Sequence, residues 1–86
     1  MPIAYILLNS DLGTDESVIT KIKNILSDEK HAQYEIQGVY GVYDIILKLI
    51  SHDPENLRSI ITDKIRTLKN IQSTLTMMVI EEQEKP

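Results

Sequence analysis

Hydrophobic and polar positions divide the chain into six segments. Residues 3–8, IAYILL, are apolar on both parities, the pattern of a strand covered on both faces. The turn cluster NSDLGT follows, with Gly13 in it. Val18, Ile19, Ile22, Ile25 and Leu26 then recur at helical spacing, with Lys21, Lys23 and Asn24 opposite. They predict a helix from about Asp15 to Leu26. Thr14 stands at its N-cap, Asp15 and Glu16 put negative charge in its first turn, and the polar SDEK ends it.

Residues 31–39 alternate. Ala32, Tyr34 and Ile36 share one face; His31, Gln33, Glu35 and Gln37 share the other. This is the pattern of an edge strand with one poorly covered face. Gly41 marks a turn, and the next strand begins near Tyr43, so the two form an antiparallel hairpin. In this third strand Tyr43, Ile45, Leu47 and Leu49 share one face, and Asp44, Ile46, Lys48 and Ile50 the other. SHDPENL starts a second helix: Asp53 caps, Pro54 suits the first helical position, and Glu55 is acidic in the first turn. Leu57, Ile60, Ile61, Ile65 and Leu68 make its apolar stripe. Lys64, Arg66 and Lys69 lie towards its C-terminus, and Asn70 suits a left-handed cap. The last strand is IQSTLTMMVI, residues 71–80. Leu75, Met77 and Val79 lie on one parity, and Thr74, Thr76, Met78 and Ile80 on the other. The tail EEQEKP is solvated, with residues 82–86 expected to fray.

The order β-α-β-β-α-β with two amphipathic helices predicts a single domain over residues 1–86. Its class is α+β: a ferredoxin-like sandwich, a four-stranded antiparallel sheet in the order 4-1-3-2 with both helices on one face. The first and third strands, the most apolar, take the centre. The second sheet face then carries Ile46, Ile50, Met78 and Ile80, one parity of the first strand, and Lys48. Burying one such apolar side chain is worth about 1.5–3 kcal/mol, so an exposed patch of them predicts a second copy packed sheet to sheet about a twofold axis.

Composition removes several function classes. The chain has 86 residues, a net charge of −4, and no cysteine, phenylalanine or tryptophan. A negative chain is a poor sequence-independent ligand of nucleic acid, and without Phe or Trp it has no aromatic series on which to stack bases. No thiolate is available as nucleophile or metal ligand. His31 and His52 are far apart and form no metal-binding spacing, so neither metal nor cofactor is expected. No nucleophile elbow, P-loop or dinucleotide fingerprint occurs, so no catalytic residue is assigned and the chain is not expected to be an enzyme. With no basic leader and no apolar run long enough for a membrane span, a soluble cytoplasmic protein is expected.

Three stretches together resemble one family. AYILLNSDLG at 4–13, GVYDIILKL at 41–49 and IRTLKNIQSTLTMMVI at 65–80 look like the opening strand and turn, the Gly-x-Tyr-Asp hairpin, and the helix end with Thr-x-Thr last strand of the Lrp/AsnC effector-binding (RAM) domain. The resemblance implies a dimer built by sheet packing, assembled further in many members into tetramers, octamers or decamers. It also implies a free amino acid bound between neighbouring dimers. Carried over by position, Gly41, Val42, Tyr43 and Asp44 are the pocket loop, and Gln72, Ser73, Thr74 and Thr76 come from the start of the last strand. Gly41 lets backbone N–H groups approach closely. Asp44 takes the ammonium, and hydroxyls complete the ring of partners.

Two features depart from the family. Strand one begins by Ile3, so no helix-turn-helix is expected here, and a full-length regulator of the family becomes a candidate partner. The usual Pro-Gly before the last strand is Lys69-Asn70. Other readings stay open. The chain fits a constitutive oligomerisation module that co-assembles with such a regulator, or an ACT-like amino-acid-binding regulatory subunit. Asp44 also fits a turn carboxylate that caps the hairpin or pairs with Lys48.

Overall fold

Ala4, Ile6 and Leu8 are fully buried, as are Ile45, Leu47 and Leu49. These two alternating rows are the floor of the core in the computed structural model, which describes residues 2–80. They belong to β1 (Ile3–Ser10) and β3 (Ile45–Ser51), paired antiparallel with Ile6 opposite Leu47. β2 (Ala32–Gly38) pairs with the outer side of β3, and β4 (Ile71–Met78) with the outer side of β1. The sheet order is β2-β3-β1-β4, the expected 4-1-3-2 read from the other edge. The expected fraying at 82–86 falls outside the described residues.

Over this floor lie α1 (Asp15–Ser27) and α2 (Pro54–Ser59). α1 buries Val18, Ile22 and Leu26, three positions on one helical stripe. Asp53 caps α2 as expected: its carboxylate accepts from the Glu55 N–H at 3.0 Å. Beside it, buried Ser51 accepts from the Asp53 N–H at 3.2 Å and from the Asn56 side chain at 3.3 Å, so this buried polar group is satisfied. Thr14 differs from expectation. It sits at the N-cap of α1, but its hydroxyl donates to the Asp11 carbonyl at 2.7 Å and accepts nothing from the helix.

The second helix does not keep one pitch. After Ser59 it widens into a π-helical stretch, Ile60–Ile65, where the Arg66 N–H reaches the Ile61 carbonyl five residues back at 3.0 Å. The wide turn brings Ile60, Ile61 and Ile65 all into the core, while Lys64 stays outside and bridges to Glu29 at 3.1 Å. Asn70 then turns the chain with φ of 68°, the left-handed position that asparagine tolerates. Its carbonyl accepts from the Asp11 N–H at 2.8 Å.

Register corrects one expectation about the faces. Directly opposed residues of paired strands share a face. Ala4 lies opposite Met78 and Ile6 opposite Thr76, so Met78 is on the helix side and not on the open face. Ile80 follows the last residue of β4 and is 98% exposed. The open face of β4 belongs to Met77, opposite Tyr5, and Leu75, opposite Leu7. Ile46, Lys48 and Ile50 do lie there, opposite Leu7, Tyr5 and Ile3. Lys48 holds its ammonium 5.8 Å from the Tyr5 ring centre. The open face is therefore apolar across β3, β1 and β4, and polar at β2, where Gln33, Glu35 and Gln37 point the same way. In one chain, the second face of β1 is only partly covered: Tyr5 and Leu7 are half-buried.

Candidate ligand site

At the end of the sheet where α1 begins, three pieces of backbone meet. The Asp44 N–H donates to the Leu8 carbonyl at 3.0 Å, and the Val39 N–H donates to the Asp44 carbonyl at 2.8 Å. These bonds carry the β1–β3 and β2–β3 pairing one step past the strand and fix Asp44 from both sides. Its carboxylate is then placed to accept from the Ser10 N–H, at 3.2 Å. So the Asp44 carboxylate holds the end of β1. It forms no ion pair with Lys48 within the 4.0 Å range of a salt bridge.

Around this point lies a cavity of about 700 Å³. The β1–α1 loop supplies Asp11, Leu12 and Gly13. The first turns of α1 supply Asp15, Glu16 and Ile19, and the hairpin supplies Gly38 to Gly41. Ser10, Asp44 and Gln72 complete the wall. Gly41 has φ of 153°, a conformation that side-chain-bearing residues rarely adopt. A Cβ there would meet nothing within 4 Å, so the requirement for glycine is conformational and not one of space. Gln72 arrives by a bulge: Asn9 opposes Ser73 and Ser10 opposes Ile71, which leaves Gln72 between them without a β1 partner.

Of the residues assigned from the sequence, the cavity brings together Gly41, Asp44 and Gln72. Val42 is on the outer hairpin, 85% exposed, and Tyr43 is half-buried outside the cavity wall. Ser73 lies on the open face, where it accepts from the Asn9 side chain at 3.3 Å. Thr74 opposes Leu8 on the helix side. Thr76 lines a separate groove of about 230 Å³ with Met78, Ile61, Thr62, Arg58 and Arg66. Sequence reasoning missed Ser10, Asp11, Asp15 and Glu16 as wall residues. The cluster SDLGTDE reads as a turn and a helix start; only the β1–β3 pairing brings it opposite the hairpin.

The model of the "Lrp/AsnC ligand binding domain" family matches residues 4–85. The chain belongs to the Lrp/AsnC ligand-binding domain family. It is thus a regulatory, effector-binding domain in kind, and the cavity walls lie inside the matched span. Two solved structures resemble this Lrp/AsnC domain at 34% identity. One, an FFRP chain, has a TM-score of 0.77, with 93% of this chain and 100% of that chain covered. The other, the hypothetical protein PHS023 from Pyrococcus horikoshii, has a TM-score of 0.75, with 95% and 93% covered. A transcriptional regulator of Neisseria meningitidis, solved as an L-Met complex, shares the fold at 13% identity and a TM-score of 0.70. That match covers 98% of this chain and 53% of the regulator, so the Lrp/AsnC domain spans about half its length. A homocitrate synthase of Sulfurisphaera tokodaii is 40% identical over 47 residues, which are 55% of this chain and 10% of that enzyme.

Proposed function

We propose that this chain is an amino-acid sensing module of the cytoplasm that oligomerises and modulates a transcriptional regulator without itself contacting DNA. The observation that carries the reading is the cavity in which Gly41, Asp44 and Gln72 converge within a ligand-binding family domain. The same fold holding L-Met in the Neisseria regulator is in keeping with it. A zwitterion needs an anionic acceptor for its ammonium and donors for its carboxylate. The free oxygen of Asp44 is the first, and Gln72 with the loop backbone at Gly41 supplies the second. Oligomerisation uses the open sheet face, with Leu7 at the centre between Ile46 and Leu75.

A thermal-shift screen of the twenty amino acids tests the sensor. A ligand at 100 times its Kd adds about 2.7 kcal/mol to stability, and Asp44→Asn is expected to remove most of that shift. If no amino acid moves the melting curve, the constitutive oligomerisation module becomes the better account.

The stretch shared with homocitrate synthase favours one further reading, in which the regulated partner is an enzyme. Adding the liganded domain to a regulator–DNA complex and to a metabolic synthase, each in turn, separates the two by which one responds.

A further inference from the structure

The charge on the cavity wall narrows the ligand, on the reading that an amino acid binds there. Four carboxylates line the cavity: Asp11, Asp15, Glu16 and Asp44. No lysine, arginine or histidine among the described residues does. Among the described residues the ion pairs are Arg58 with Glu55 and Lys64 with Glu29, so none of these residues' cations pairs with any of the four. Asp15 and Glu16 also serve the positive end of α1, but that service does not extend to Asp11 or Asp44. A second observation points into the same space. Ser10 is only 7% exposed and lines the cavity. Its N–H is taken by Asp44, whereas its hydroxyl has no hydrogen-bond partner among the described residues and is not sealed from solvent. An open hydroxyl in the wall can donate to a ligand's polar group in place of water.

We infer that the cavity selects an amino acid whose side chain carries a positive charge, such as lysine, ornithine or arginine. The Ser10 hydroxyl and the Gln72 carboxamide donate to its α-carboxylate, and Asp44 accepts from its α-ammonium. Asp15 and Glu16, on the outer wall, meet the distal cation, and Asp11 adds to the same field. A neutral amino acid leaves the excess negative charge unbalanced, and an acidic one adds to it.

Isothermal titration of the intact chain with L-lysine, L-leucine and L-glutamate, each at low and high salt, tests this. Lysine is expected to bind at least about tenfold tighter than leucine, a 1.4 kcal/mol difference. Glutamate binds weakest, and the lysine advantage shrinks as salt screens the wall. The exposed double variant Asp15→Asn with Glu16→Gln should reduce the ratio of lysine to leucine affinity to about threefold or less, half a logarithm on the same scale. Leucine or glutamate matching lysine, or a double variant that keeps the full preference, overturns the charge selection while the sensor reading stands. Failure of all twenty amino acids to shift the melting curve removes both.

Discussion

The Asp44 carboxylate has two oxygens and two duties. One accepts from the Ser10 N–H, and the proposed function gives the other to a ligand's ammonium. Substitutions separate the duties. Asp44→Asn keeps an acceptor for that N–H and removes the charge, so its cost falls on binding. Asp44→Ala leaves a part-buried N–H unpaired, which costs about 1–3 kcal/mol. Urea unfolding should therefore rank the alanine variant clearly below the asparagine variant, with both weak in ligand binding. Equal stabilities would mean that the Ser10 bond contributes nothing. At Gly41 the cost is backbone strain. Gly41→Ala at φ of 153° should lose about 1–3 kcal/mol with no clash to relieve, read as a lower urea midpoint at unchanged slope.

At the scale of elements, each strand and helix start has a local cause that the sequence displays. Asp53 and Pro54 are one such case: Asp53→Ala should destabilise the domain by about 1 kcal/mol, a fall of about 4–8 °C in Tm for a domain of this size. An unchanged Tm would show that the cap is idle. Ile65 makes the contrast. It is fully buried within the π-helical stretch, and Ile65→Ala should cost about 2–5 kcal/mol. Strand β2 was legible because its polar and apolar positions alternate, and β1 and β3 because they are short apolar runs bounded by turn residues. The π turn was not, since a 3.6-residue pattern through Leu57, Ile61 and Ile65 fits the same residues. The faces of β4 were misread for a physical reason. Leu75, Met77 and Met78 are all nearly half exposed, so neither parity shows an inside, and only pairing with β1 assigns them. The cavity was half legible. Gly41 and Asp44 stand out as turn chemistry before an apolar strand, but Ser10 and the α1 acids join them through long-range pairing and Gln72 through a bulge.

For the whole molecule, the proposed assembly rests on the unevenness of the sheet. Three strands present apolar side chains on the face without helices, and β2 closes that face with Gln33, Glu35 and Gln37. Leu7→Glu puts a charge at the centre of the apolar part. Sedimentation equilibrium should find the unaltered chain as a dimer or larger and the variant as a monomer; an unaltered chain that is already monomeric rules out sheet-to-sheet association. The polar β2 side is expected to lie at the rim, so Glu35→Ala should leave the mass unchanged.

The pairing of β1 has a further consequence for signalling. Its beginning lies against the end of β4, Ala4 opposite Met78, and its end lies at the cavity, Ser10 opposite Ile71. Residues 2 and 80 thus lie together, and the candidate cavity is at the far end of an eight-residue strand, roughly 24 Å away. On the proposed function, news of occupancy travels from the cavity along β1, or through a neighbouring subunit packed on the open sheet face.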